Sequence, residues 1–272
     1  MLREMIADFE LARHTGKSRK QVFEIFGILS SLRKKIKHPE KYKDVVQEIY
    51  GYKISGYYFR SLDYLYREIF LNDEYYFKAS TDAPVIIDCG ANIGFSVLYF
   101  ARLYPEAKIY AFEPSPTSFA LLQKNISDNK LKNVSLYNNA LSDTEEEVPF
   151  FADYAGSLTG SLRNDRGGTN HVNVKAIRLS DFIKKSDNKI DLLKIDVEGA
   201  EIKMLDDLYD TNSLAKIDQL IVEYHHHIVD NEPSRLSGFL KKFEEKEFDY
   251  NIRGKFPKSG KMQDLLIRFY HR

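Results

Sequence analysis

The chain has 272 residues, 43% hydrophobic and 29% charged, which suits one large α/β domain with an appendage. Its 40 Lys and Arg balance its 40 Asp and Glu, so no global field recruits nucleic acid, and no apolar run reaches the roughly 18 residues of a membrane-spanning helix. A single cysteine, Cys89, excludes an internal disulfide, and the start Met1-Leu2-Arg3-Glu4 lacks the apolar core of a secretory signal, so a cytoplasmic location is expected.

Residues 1–80 read as a helical extension or cap ahead of a catalytic unit over 81–272. From Gln21 to Ile36, apolar Val22, Ile25, Phe26, Leu29, Leu32 and Ile36 recur at three- and four-residue steps and form one stripe. His38-Pro39 ends that helix. Tyr57 to Phe70 repeats the pattern through Phe59, Leu62, Leu65, Tyr66 and Ile69. These helices are expected to pack on the catalytic unit or to pair across a homodimer. Tyr57, Tyr58, Tyr75 and Tyr76 either join the core or line a cleft for a sugar. The first sixty residues carry Arg3, Arg13, Lys17, Arg19, Lys20, Arg33, Lys34, Lys35, Lys37, Lys41 and Lys43 against few acids. That excess is a solvated face, or it meets an anionic acceptor, a peripheral membrane surface or a second subunit.

From Val85 onward strands and helices alternate, which predicts a parallel sheet. Strands are expected over 85–88, 108–112, 134–138, 192–196 and 219–224, with helices over 95–103, 117–129, 199–207 and 235–246. Residues 147–179 read as an irregular loop or short antiparallel strands. Within them, 156–161 and 166–169 have loop composition. The alternating runs 248–253 and 265–270 form a terminal hairpin. The sum is an α/β fold with a doubly wound, seven-stranded, mostly parallel sheet.

The first of these strands reads Val85-Ile86-Ile87-Asp88-Cys89-Gly90-Ala91-Asn92-Ile93-Gly94. An apolar run ends in an acid, and a Gly-x-x-x-Gly turn opens a helix. A pyrophosphate cradle needs G-x-G-x-x-G or a G-K-[ST] lysine, and this turn has neither. Glu113 ends the next strand, about 25 residues past Asp88, where an acceptor for ribose hydroxyls sits in dinucleotide folds. Asp88 is placed to offset a positive charge. A cationic nucleoside without phosphates suggests S-adenosylmethionine. Cys89, between an apolar strand and a glycine, reads as a small buried residue.

The run Asp191-Leu192-Leu193-Lys194-Ile195-Asp196-Val197-Glu198-Gly199-Ala200-Glu201 is the most selective stretch. With Ile87–Gly94, Phe112-Glu113-Pro114, Asn139-Ala140-Leu141-Ser142-Asp143 and the segment from Glu68 to Tyr75, it resembles the FkbM family of S-adenosylmethionine-dependent methyltransferases. The match runs from about Glu68 to Tyr224. The first sixty residues and the terminal hairpin carry no matching signature. The resemblance implies a class I methyltransferase sheet, S-adenosylmethionine as cofactor, and O-methylation of sugars or related hydroxylated products. It implies Asp88, Gly90, Asn92 and Gly94 around the methionine and ribose portions, Glu113 on the ribose hydroxyls, and Asn139 and Ala140 beside the adenine.

Methyl transfer is an in-line displacement, so the acceptor oxygen must lie about 3 Å from the methyl carbon. A sugar hydroxyl attacks well only as it loses its proton, so a base or a metal is expected. Lys194, Asp196 and Glu198 alternate along one strand and its exit, and Glu223 and His225 alternate on the next. Adjacent strands lie about 4.8 Å apart. Two arrangements follow: His225 takes the proton, oriented by Glu223 or Asp196, or Asp196, Glu223 and His225 hold a divalent cation. Lys194 reads as one half of a structural ion pair. Glu198 belongs to the site or simply starts the next helix, with Glu201 favoured by that helix's dipole. Of His225, His226 and His227, only one or two can face the site. The expected activity is methylation of a hydroxyl on a sugar, glycan or glycosylated product. The alternatives are N-methylation of a small amine, or a non-catalytic adenosyl-binding regulator. A dehydrogenase is disfavoured by the missing third glycine.

Overall fold

Apolar runs that bury both faces become the central strands, and amphipathic stripes become the helices that cover them. The computed structural model describes residues 2–13, 18–152, 160–164, 168–186, 188–226, 235–254 and 263–271. It opens with helices α1 (Leu2–Arg13) and α2 (Arg19–Lys37). Ser18 caps α2 in a reciprocal box with Gln21, which satisfies two backbone donors at the helix start. The α2 stripe buries Val22, Ile25, Ile28, Leu29 and Leu32, each contributing about 1.5–3 kcal/mol of burial energy.

A β-hairpin follows, β1 (Val46–Ile49) and β2 (Tyr52–Ser55), inside the segment that sequence patterning reads as helical. Its turn residues Tyr50 and Gly51 both have positive φ, 50° and 85°, the geometry that matches the twist of a two-residue hairpin. Next come α3 (Phe59–Leu65) and a wider π-type turn (Tyr66–Leu71), where a single helix is expected. Part of the N-terminal basic run is engaged internally: Arg33 pairs with Asp8, and Lys35 Nζ donates to Val46 O at 2.6 Å and Gln47 Oε1 at 3.0 Å.

The alternating region gives β3 (Val85–Cys89), α4 (Phe95–Leu103), β4 (Lys108–Phe112), α5 (Pro116–Asp128) and β5 (Val134–Tyr137). After β6 (Ala140–Ser142), β7 (Glu147–Phe151) and β8 (His171–Arg178) come α6 (Leu179–Lys184), β9 (Leu192–Ile195) and α7 (Glu201–Asp210). The chain closes with β10 (Gln219–His226), α8 (Leu236–Glu244), β11 (Phe248–Gly254) and β12 (Gln263–His271). Strands β6, β8 and β7 form a small separate sheet in that order, so 147–179 contains the short antiparallel pair that was one of the two expectations. Most of the loop-like 156–161 and 166–169 lies outside the described residues.

The main sheet has seven strands in the order β11-β12-β10-β9-β3-β4-β5. Neighbours from β10 to β5 are parallel, and β12 runs antiparallel between β10 and β11. Chain order reverses between β3 and β9, the point at which ligands bind beyond the carboxyl ends of such sheets. Ile86, Leu192 and Ile221 bury into one core with α2, α3 and α4. Ile87, Cys89, Leu193 and Val222 bury into the other with α6, α7 and α8. Cys89 is therefore a core residue, its thiol pushed well up by burial.

Two asparagines on α5 and its C-terminal end fasten the N-terminal hairpin. Asn129 Oδ1 accepts from Lys53 N at 2.8 Å and its Nδ2 donates to Lys53 O at 2.9 Å. Asn125, fully buried, makes the same pair with Ser55 at 2.8 and 2.9 Å. Its Nδ2 also donates to Ile93 O at 2.8 Å, inside the Gly-x-x-x-Gly turn. Among the described residues no helix is long and apolar enough to cross a membrane.

Candidate active site

A cleft of about 630 Å³ opens at the carboxyl ends of β3, β4, β9 and β10. One end is built by the turn after β3. Gly90, Asn92 and Gly94 all take positive φ, at 83°, 48° and 94°. A side chain on Gly90 would put Cβ 1.8 Å from the Asp196 carbonyl oxygen, and one on Gly94 would reach Leu122 Cδ1 at 2.8 Å. Both glycines are thus required by contacts within the chain, in addition to any approach of a ligand. Glu113 Oε2 accepts from Asn92 N at 2.9 Å and Oε1 from Ser115 N at 2.8 Å. Burial pushes its carboxyl up to about 7, against the pull of those two N–H donors. Asn139 and Ala140 line the same end, and Asn139 Nδ2 donates to Lys175 O at 3.2 Å.

Asp88 sits elsewhere than the sequence reading puts it. It is fully buried behind the cleft wall, accepts from Ser96 Oγ at 2.5 Å and pairs with Lys194 Nζ at 3.1 Å. The parallel register sets Asp88 directly beside Lys194, so its charge is already offset within the chain. Lys194 also donates to Gly90 O at 2.9 Å. Burial opposes its ammonium, but Asp88 and Asp196 outweigh that and raise its pKa. The structural ion pair expected of Lys194 is present.

The other end is made of side chains. Asp196 and Glu223 line the wall, and the Tyr75 hydroxyl lies between them, 3.4 Å from Asp196 Oδ2 and 3.5 Å from Glu223 Oε2. Tyr75 is a core residue with a polar tip in the cleft, which combines both sequence alternatives. Burial first, and the neighbouring Asp196 second, hold Glu223 well above the usual carboxylate range.

His225 is buried behind this wall, with Nδ1 2.8 Å from Glu201 Oε1 and Nε2 3.1 Å from Glu198 Oε2. Burial opposes the imidazolium, but Glu201 and then Glu198 overcome it and push His225 up to about 10. Both ring nitrogens are engaged by these carboxylates and the ring does not line the cleft, so His225 is not placed to take a proton directly from a substrate, which counts against the reading of it as a general base. Glu201 is the residue the sequence reading undervalued: it orients His225 and itself accepts from Gly199 N at 2.8 Å. Glu198 lines the cleft at φ 55°, its carbonyl accepting from Ser161 Oγ at 2.5 Å. One donor atom each from Asp196, Glu198 and His225 lies within 4.8 Å of the others, so Glu198 takes the place expected of Glu223 in that trio. The side chain of His226, and His227, lie outside the described residues.

Glu68, Glu74 and Tyr64, from the segment before β3, and Asp264 of β12 complete this end. Sequence patterning gave no reason to single out Asp264, because only the pairing of β12 with β10 sets it opposite His225.

The family model of the methyltransferase FkbM domain matches residues 88–251. The chain belongs to the FkbM methyltransferase family. It is similar to methyltransferase 1 of Beauveria bassiana, 32% identical over 182 residues that cover 60% of this chain and 73% of that protein. It is also similar to the 31-O-demethyl-FK506 methyltransferase FkbM of Streptomyces tacrolimicus, 29% identical over 195 residues covering 60% and 74%. The crystal structure of methyltransferase FkbM from Methylobacillus flagellatus shares the fold, with a TM-score of 0.51 and 16% identity, covering 97% of this chain and 58% of that one.

As an FkbM methyltransferase the enzyme depends on S-adenosylmethionine, and the donor set fits that ligand. Glu113 offers a carboxylate already steadied by two backbone N–H groups. Among the described residues lining the cleft, the only Lys or Arg is Lys194, and its ammonium is engaged with Asp88. That suits a nucleoside carrying no phosphate.

Proposed function

We propose that this FkbM methyltransferase methylates a hydroxyl of a sugar, glycan or glycosylated product. The observation that carries the reading is the pair of cleft-lining carboxylates, Asp196 and Glu223, sharing the Tyr75 hydroxyl beside the cofactor turn. When bound, S-adenosylmethionine supplies an electrophilic methyl carbon on a sulfonium. Glu113, Asn92 and Asn139 would hold its nucleoside end, and Gly90 and Gly94 shape the turn that receives it. The pair Asp196 and Glu223 would accept the proton that the acceptor hydroxyl loses, a role worth about 10²–10⁴-fold in rate. Tyr64, exposed at the cleft, would give a sugar ring apolar surface with a polar edge, and Tyr75 would offer its hydroxyl alone. The O-methylating relative from Streptomyces tacrolimicus supports a hydroxyl acceptor.

The test is transfer of label from S-adenosylmethionine to a panel of sugars, glycans and amines. Label on a hydroxyl, with turnover depressed in Glu223→Gln, supports the proposal. Transfer confined to amines counts against it.

A further inference from the structure

Beside the carboxylate pair, donors from two strand ends meet in one corner. Asp196 leaves the tip of β9, Glu198 lies in the turn before α7, and His225 stands near the end of β10. One donor atom from each lies within 4.8 Å of the others. Two carboxylates and an imidazole form a mixed donor set, unlike the wholly acidic wall of Glu68, Glu74 and Asp264. The imidazole is oriented as a ligand has to be. Its Nδ1 is 2.8 Å from Glu201 Oε1, and Glu201 is fixed in turn by the Gly199 N–H. The ring is thereby held with Nε2 toward Glu198. A carboxylate behind the ring and other donors in front is how proteins set the tautomer of a metal-binding histidine.

We infer that Asp196, Glu198 and His225 form a site for a first-row divalent cation, with Glu201 as the residue positioning the imidazole. An imidazole nitrogen beside two carboxylates favours Zn²⁺ and Mn²⁺ over Mg²⁺, which prefers oxygen donors and retains its water. Three protein ligands leave coordination positions open, and Asp196 and Glu198 both line the cleft. The role of the cation, polarising an acceptor oxygen, rests on the methyl-transfer reading. The existence of the site does not.

The full chain, stripped with EDTA and exchanged into chelator-free buffer, is titrated calorimetrically with ZnCl₂, MnCl₂ and MgCl₂. The expected result is one-to-one binding, tightest for Zn²⁺, then Mn²⁺, then Mg²⁺. Asp196→Asn, on the partly exposed rim, should weaken Zn²⁺ and Mn²⁺ by about tenfold or more, and Glu201→Gln by about 10–100-fold. Replacing buried His225 risks unfolding the chain, so imidazole ligation is read in the wild type instead, as nitrogen modulation in the pulsed EPR spectrum of bound Mn²⁺. No heat with any of the three cations overturns the inference. So does binding that Asp196→Asn leaves unchanged, or bound Mn²⁺ without nitrogen coupling. Because no donor or acceptor is present in the titration, failure here leaves the methyl-transfer reading standing. Failure of the labelling assay likewise leaves the binding isotherm intact.

Discussion

The two ends of the cleft are made of different material. The proposed cofactor end is backbone: three residues with positive φ, a turn whose N–H groups are paired within the chain, and one acid anchored by backbone donors. The acceptor end is side chains: carboxylates, a tyrosine and a clamped imidazole delivered by β9, β10, β12 and the segment before β3. A backbone site is specified by a short contiguous stretch, whereas a side-chain site depends on how distant elements come to rest against one another. One end is therefore expected to tolerate little change of backbone, and the other to lose chemistry while keeping its shape.

Four experiments press on that division, from the largest expected effect down. Asp196→Asn should lower kcat by about 10²–10⁴-fold and leave the dissociation constant of S-adenosylmethionine within about twofold; a loss of cofactor affinity as large as the loss of turnover would show that the ends are not separable. Gly90→Ala, with its Cβ driven into the Asp196 carbonyl, should destabilise the fold by roughly 3 kcal/mol or more, seen as a fall in Tm. An unchanged Tm would remove the backbone argument.

The third experiment concerns pH. In the proposed role of Glu113, ribose hydroxyls would donate to its ionised form, and burial raises that group to about 7. Cofactor affinity should therefore rise with pH through that value and fall below it, by about fivefold for the first full unit below and about tenfold from pH 8 to pH 6. Calorimetry from pH 6 to 8 measures this, and Glu113→Gln should flatten the profile. Last, Asn125→Ala and Asn129→Ala each remove two bonds to the N-terminal hairpin, but only Asn125 also holds Ile93 O. Asn125→Ala should weaken the cofactor several-fold more than Asn129→Ala, consistent with one buried hydrogen bond of about 1 kcal/mol. Equal effects would mean that the hairpin contributes stability alone.

The same division explains what was legible in the sequence. The central strands and helices were found within a few residues, because buried apolar runs and amphipathic stripes are local signals. The N-terminal hairpin was missed because four-residue strands are too short to show a period of two, and Tyr50-Gly51 is not a common hairpin dipeptide. Gly90, Asn92 and Glu113 could be chosen because the turn and the acid after the next strand are read along the chain. The position of Asp88 behind the wall was not legible for the opposite reason: an acid at a strand tip looks ligand-facing until the register places a lysine beside it. His225 looked like a base because nothing in its own strand announces the two glutamates, from another turn and another helix, that close on its ring. Asp264 needed the β10–β12 pairing to be seen at all.

Asn125 has a consequence for anyone who would rebuild this enzyme. A single amide ties the loop that would cradle the methyl donor to a ribbon folded from residues 46–55, and the wall opposite carries a phenol from position 75. Transplanting residues 81–272 onto a foreign leader would discard both, leaving a sheet of the right architecture with a slack donor loop and a hole where the acceptor should rest. Exchange of parts between relatives is better cut at the outer edge, beyond β12, than at the seam that the chain order suggests.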